Sequence, residues 1–192
     1  MMVRGMNQGH AAVSDWGLSY FPVVQKASHS MIADFGCGGG RNTAALLKRF
    51  PAATVTALDY SKVACDKTKQ FNRHEVQSGR CNVVQGDVSR LPFEAATFDV
   101  ITAFETVYFW PGPVESFQEV WRVLKPGGTF MIVNESDGTK QADEKWTDII
   151  DGMRIFTQEQ LTQYLKDAGF SQIAAHINRK QHWICLLAEK AR

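Results

Sequence analysis

Short runs of β-forming residues alternate with helical stretches along most of the chain, and this alternation constrains the fold more than any other feature. Met31 to Phe35 is an apolar run closed by glycines, and Arg41 to Phe50 follows with apolar residues at helical spacing. Thr54 to Leu58 is β-branched and alternating and ends at Asp59. The next stretch carries Val63, Ala64 and Phe71 on a helical pattern, with Ser61 as a natural N-cap. Cys81 to Val84 and Val100 to Phe104 read as the third and fourth strands. From Pro113, the residues Val114, Phe117, Val120, Trp121 and Leu124 keep helical spacing until Lys125-Pro126-Gly127-Gly128, a turn holding both helix breakers. Thr129 to Val133 reads as the fifth strand.

Thr157 and Gln160 form a capping box for a helix through Leu161, Tyr164, Leu165 and Ala168 that stops at Gly169. Two final runs, Gln172 to Ile177 and Trp183 to Ala188, are linked only by Asn178 to His182. So short a link holds no crossover helix, so the pair is expected to be an antiparallel hairpin. The whole pattern predicts an α/β fold with a Rossmann-like doubly wound sheet, mostly parallel, with one antiparallel strand near the C-terminal hairpin. Ligands of such sheets bind beyond the carboxyl ends of the strands, where strand order reverses.

No repeat or linker divides the 192 residues, so one domain spanning residues 1–192 is expected. Residues 1–29 are expected to cap the cleft, with Trp16 either core or lid. Residues 135–156 form a connection longer than usual, and Trp146, Ile149, Ile150 and Met153 recur in it at helical spacing, which suggests a lid over the cleft. The formal net charge of +1 supplies no field for nucleic acid or an anionic membrane. Cys37, Cys65, Cys81 and Cys185 form no C-x-x-C pair and read as isolated thiols of a reducing, cytoplasmic compartment. Met1 to Ala12 lacks the apolar segment of a signal peptide, and the longest apolar stretches are strand-sized. No carboxylate–histidine cluster stands at ligand spacing, so no metal is expected. A homodimer is compatible with the sequence.

The chemistry concentrates at the predicted strand ends. Asp34-Phe35-Gly36-Cys37-Gly38-Gly39-Gly40 follows the first strand and opens the first helix, a turn in which glycine lets a ligand press against the backbone. Asp59 stands 23 positions after Gly36 (59 − 36), where its carboxylate can accept from both ribose hydroxyls of a nucleoside. A dinucleotide fingerprint counted from Gly36 would need Gly or Ala where this chain has Arg41, so that match is partial.

Read onward, the segments Ala57-Leu58-Asp59-Tyr60-Ser61, Gln85-Gly86-Asp87, Leu91-Pro92-Phe93, Thr97-Phe98-Asp99 and Glu119 through Gly128 follow in order. With the glycine turn, they make the chain resemble a class I S-adenosylmethionine-dependent methyltransferase, of the small bacterial kind related to ubiquinone- and menaquinone-biosynthesis methyltransferases. The resemblance implies S-adenosylmethionine as cofactor and S-adenosylhomocysteine as product. It implies cofactor contacts from Asp34 to the amino group, from Gly36, Cys37 and Gly38 along the turn, and from Asp59 to the ribose. Tyr60 would pack on the adenine, Asp87 and the Val88 N–H would meet its edge, and Phe104 and Glu105 would wall the sulfonium. Asp99 and the Lys125–Gly128 turn are implied to be architectural. Met6-Asn7-Gln8-Gly9-His10 and Asp15-Trp16-Gly17-Leu18 resemble the lead-in of a subgroup of these enzymes.

The expected activity is in-line methyl transfer to a small-molecule acceptor, driven mainly by proximity and orientation. A protein or RNA acceptor, a cofactor-binding protein without catalysis and a nicotinamide-dependent oxidoreductase are the rival classes. No residue pair announces a general base, and His10, Glu105 and Tyr108 are the catalytic candidates, with Tyr20 and Trp110 also expected near the acceptor.

Overall fold

The computed structural model describes residues 10–21 and 30–192. Seven strands form one sheet: β1 (Met31–Phe35), β2 (Thr54–Asp59), β3 (Cys81–Gln85), β4 (Phe98–Phe104), β5 (Leu124–Asn134), β6 (Gln172–Asn178) and β7 (Trp183–Glu189). Their spatial order is β3-β2-β1-β4-β5-β7-β6. The first five run parallel, while β7 pairs antiparallel with both β5 and β6. The Rossmann-like arrangement and the terminal hairpin are thus as expected. The chain winds outward from β1 to β3 and returns to place β4 on the other side of β1. That reversal opens a cleft above the carboxyl ends of β1 and β4.

Alternation along the strands sorts the core onto two faces. Phe130 and Ile132 face the side where Phe117, Val120, Leu161 and Leu165 are buried, on α5 (Pro113–Val123) and α7 (Gln158–Asp167). Met131 and Val133 face the other side, with Val13 and Leu18 of α1 (Ala11–Ser19) and Leu46 and Leu47 of α2 (Arg41–Arg49). Helix α1 lies so close to β5 that a Cβ on Gly17 would stand 2.4 Å from a Val133 methyl.

Local signals held where their bonds are local. The Ser61 hydroxyl accepts from the Ala64 N–H to cap α3 (Lys62–Phe71), which a short α4 (Arg73–Gln77) follows, and both halves of the Thr157/Gln160 capping box form. Asp99 takes the Met31 N–H at 2.8 Å and the Lys125 ammonium at 2.9 Å, an architectural role that ties the start of β1 to the start of β5.

One expectation needs correction. Lys125–Gly128 is not a turn that precedes the fifth strand. The strand begins at Leu124, opposite Phe98, and the next aligned pair is Val100 with Thr129, so the Pro-Gly-Gly segment is taken up as an irregularity within β5. In the connection after β5, α6 (Glu144–Ile149) is six residues long, and Trp146, Ile149 and Ile150 are exposed. Of the expected cap, Met1–Gly9 and residues 22–29 lie outside the described residues, so only His10 of the Met6–His10 segment can be placed.

Candidate cofactor cleft

A cavity of about 560 Å³ opens at the carboxyl ends of β1 to β4, within the size range of small-molecule sites. Its wall is built from four successive strand ends. After β1 come Gly36, Cys37 and Gly38; at and after the end of β2, Asp59 with Tyr60 and Ser61; after β3, Gly86, Asp87 and Val88; at and after β4, Phe104, Glu105, Thr106, Phe109, Trp110 and Pro111. Nine of the ten expected cofactor residues therefore stand on one wall. Asp34 is the tenth, and it does not line the cavity.

The glycine turn needs glycine for two different reasons. Gly36 has φ +80°, and a Cβ there would stand 2.1 Å from the Thr106 hydroxyl. Gly38 has φ +53° and faces open space, so the cavity reaches bare backbone there. Helix α3 braces the turn from behind: the Thr68 hydroxyl donates to the Gly38 carbonyl at 3.1 Å and the Asn72 amide to the Gly40 carbonyl at 3.0 Å. The Asp59 carboxylate holds it from the side, accepting the Gly38 N–H at 3.0 Å and the Ser61 N–H at 2.9 Å. Each of its oxygens has a second lone-pair direction left for a ligand.

Asp34 sits beneath this turn, fully buried. The Thr43 hydroxyl donates to it at 2.7 Å and the Thr102 hydroxyl lies 3.3 Å from its other oxygen. The two threonines hold it beneath the turn, and it does not line the cavity. Burial pushes its carboxyl up from the ordinary 3.8 to about 6, against the two hydroxyls. The folded chain therefore holds this proton more tightly than the unfolded chain, so the contribution to stability falls as pH rises from about 4 to about 6, by about 3 kcal/mol. Asp34→Asn should remove that dependence. Urea unfolding of both proteins at pH 4 and pH 7 checks it: the difference should shift in favour of the Asn variant at the higher pH. A pH-independent difference would show that Asp34 is ionised without penalty.

Cys37 lines the cavity, but burial and the nearby Asp34 carboxyl push its thiol up, so it remains protonated and is no nucleophile. Tyr60 is 78% exposed and offers a free aromatic face at the mouth. Asp87 gives one oxygen to the Ser89 N–H and hydroxyl, both at 2.8 Å, and keeps the other free.

The aromatic segment after β4 divides its work. Phe109 and Trp110 are on the wall, while Tyr108 is buried behind it and accepts the Ser136 N–H at 3.0 Å. Tyr108 is not among the cavity residues, and burial pushes its hydroxyl well above the usual range. Tyr20 stacks on His176 with ring centroids 3.9 Å apart, and it is not among the cavity residues. Trp16 packs edge-on to Tyr20 and tilts against Trp183, which makes it part of the packing around α1.

His10 does line the cavity, and the fold brings two carboxylates to it. Glu135 lies two residues past Val133 and so shares the β5 face that carries α1. Its carboxylate is 3.8 Å from the His10 Nε2, and its backbone N–H donates to Glu105. Glu105 occupies the left-handed region at φ +56°, a conformation that costs an ordinary residue about 1–2 kcal/mol. Burial first, and the Glu135 charge second, push its carboxyl well above the usual range. One ligand atom from each of His10, Glu105 and Glu135 lies within 4.8 Å of the others. Linear spacing hid this cluster, since residues 95 and 30 positions apart (105 − 10 and 135 − 105) meet only through the sheet.

The wall's make-up matches a known family. Residues 33–132 match the methyltransferase domain. The chain belongs to the class I S-adenosylmethionine-dependent methyltransferases. Among sequence relatives of this methyltransferase, cycloartenol-C-24-methyltransferase 1 of Oryza sativa subsp. japonica is 32% identical over 151 residues, covering 74% of the chain and 44% of that protein. The chain thus spans less than half the length of that relative. Among solved structures, a chain of the Haloferax volcanii complex between the Trm112 methyltransferase activator and a methyltransferase superposes with a TM-score of 0.87 at 18% identity, covering 100% of this chain and 94% of that one. A phosphoethanolamine N-methyltransferase 2 of Haemonchus contortus, solved with phosphomonomethylethanolamine and S-adenosylhomocysteine, gives a TM-score of 0.77 at 14% identity over 93% of this chain and 53% of that one. At these identities the solved structures establish the fold of this methyltransferase.

Proposed function

We propose that this methyltransferase transfers the methyl group of S-adenosylmethionine to a small-molecule acceptor by in-line displacement. The observation that carries the reading is the single cavity in which the bare backbone at Gly38, the Asp59 carboxylate and the free oxygen of Asp87 follow one another along the strand ends. When bound, S-adenosylmethionine supplies an electrophilic methyl group on a sulfonium. Asp59 accepts from the ribose hydroxyls, Asp87 accepts from the adenine amino group beside the Val88 N–H, and Tyr60 covers the base. The turn at Gly36–Gly38 carries the cofactor along its backbone. With the nucleoside at the β2–β3 end, the reacting end of the cavity is the β4 end, where Phe104, Glu105, Phe109 and Trp110 exclude water and orient the acceptor. Cycloartenol, in the name of one relative, and phosphomonomethylethanolamine, bound in one solved structure, favour a small acceptor here as well. So does a near-neutral chain with an excess of only one basic residue, 21 Lys and Arg against 20 Asp and Glu.

Isothermal titration with S-adenosylmethionine, S-adenosylhomocysteine and NAD tests the cofactor. Both sulfur compounds should bind at one per chain with NAD silent. Binding of NAD without response to the sulfur compounds would overturn the assignment.

A further inference from the structure

The cavity's reacting end carries an unusual balance of charge. Its described lining holds two side chains able to be cationic, Arg41 and His10. Arg41 is already spent, because its guanidinium contacts both Asp15 oxygens at 2.7 Å. His10 is shared with Glu135 at 3.8 Å. What remains facing the β4 end is the Glu105 carboxyl, with the second carboxylate of Glu135 behind it and aromatic Phe109 and Trp110 beside it. Tyr108 and Thr106 provide no positive counterweight: the Tyr108 oxygen receives the Ser136 N–H, and the Thr106 oxygen receives the Trp110 indole N–H at 3.2 Å.

Such a wall suits one acceptor chemistry better than others. A phenolate or enolate would be repelled by two carboxylates with no free cation to hold it. A neutral alcohol would gain one ordinary hydrogen bond. An ammonium group would neutralise Glu105, relieve its repulsion from Glu135 and stack its apolar stem on the rings.

The geometry points to an amine-binding subsite formed by Glu105, Glu135 and His10, in which Glu105 orients a primary or secondary amine and takes its proton before transfer. This rests on the cavity being a methyl-transfer site. The ammonium proton passes to the Glu105 carboxylate, which frees the nitrogen lone pair. That lone pair forms the new N–C bond as the C–S bond breaks, its electron pair going to sulfur. The methylated ammonium departs with the positive charge that sulfur has lost, and Glu105 releases the captured proton to water. Burial pushes the Glu105 carboxyl upward, which raises its affinity for the proton it takes.

Benzylamine and benzyl alcohol, matched in shape and differing in charge, are the probes. Each is titrated into the protein saturated with S-adenosylhomocysteine and into the protein alone, with Mn²⁺ titrated separately. Benzylamine should bind at least about tenfold more tightly than benzyl alcohol in both forms. Glu105→Gln, which keeps the oxygen that accepts the Glu135 N–H, should abolish the preference. Exposed Glu135→Gln, which leaves the fold untouched, should reduce it. Equal binding of the two probes, or a preference that survives Glu105→Gln, overturns the subsite. Stoichiometric Mn²⁺ binding lost in either Gln variant also overturns it, in favour of a cation site. Failure to bind S-adenosylhomocysteine at all would strike the cofactor reading instead, and the titrations without it would still decide the amine preference.

Discussion

Asp59→Ala should weaken S-adenosylmethionine binding by at least about a hundredfold, because two hydrogen bonds to a charged acceptor are worth about 1.5–3 kcal/mol each. The loss has a second source inside the protein. Asp59 also accepts the N–H groups of Gly38 and Ser61, so its removal leaves two backbone donors beside the cofactor without their partner and loosens the turn that the cofactor lies on. Asp59→Asn should do almost as much harm, since one of its terminal atoms becomes a donor and faces an N–H that needs an acceptor. Asp87→Ala is the comparison. Asp87 is exposed, holds only local bonds to Ser89 and offers one acceptor to the ligand, so about a tenfold loss is expected. Titration calorimetry on the three variants, with urea unfolding to confirm that each is folded, reads the series directly. An Asp59→Ala affinity close to that of wild type, or one weakened less than by Asp87→Ala, would remove Asp59 from the ribose.

The contrast between Asp59 and Asp34 shows what a linear reading captures. Both are carboxylates at the ends of predicted strands beside the glycine turn, and both look available in the sequence. Asp59 is the last residue of β2 and reaches the cavity. Asp34 lies within β1, where the strand's own alternation and two threonines from α2 and β4 draw its oxygens inward. Thr43 and Thr102 are 9 and 68 positions from Asp34 and announce nothing by spacing. The doubly wound, mostly parallel sheet was legible because each β–α unit is decided locally and handedness limits the ways of joining them. The Lys125–Gly128 segment misled for the opposite reason: proline and glycine are local stop signals, and the ladder to β4 absorbed them once Leu124 had paired with Phe98.

The acceptor end was the least legible part. His10, Glu105 and Glu135 come from a helix start, a strand end and a second strand end, and only the order β1-β4-β5 and the seat of α1 on β5 bring them together. Glu105 could be picked as the residue after the fourth strand, and His10 from its family-like surroundings. Glu135 belonged to a segment expected to form a lid, and it meets His10 and Glu105 through the fold. Further along that segment, Arg154 donates its backbone N–H to the Tyr108 carbonyl at 2.9 Å.

Gly36→Ala should be the most damaging single substitution in the turn, costing about 2–4 kcal/mol of stability together with cofactor binding. Two independent penalties add. The backbone at φ +80° is disfavoured for any residue with a Cβ, and the new methyl group would stand 2.1 Å from the Thr106 hydroxyl and 2.6 Å from its Cβ. Neither side can give way. The Gly36 and Cys37 N–H groups both donate to the Leu58 carbonyl, at 2.7 and 3.1 Å, and the Thr106 hydroxyl is held by the Trp110 indole. Gly38→Ala provides the separating control. Its φ of +53° carries only the conformational cost, about 1 kcal/mol, because the added Cβ meets nothing nearer than the Gly36 carbonyl at 4.0 Å. That methyl group would instead project into the cavity and block the cofactor. Urea midpoints and calorimetric affinities should therefore part company: Gly36→Ala loses both, Gly38→Ala mainly affinity. The double variant Gly36→Ala/Thr106→Gly, freed of the overlap but not of the backbone strain, should recover part of the stability. If Gly36→Ala unfolds at the wild-type midpoint, the close approach of the β1 turn to the β4 turn is not what holds this wall of the cleft together.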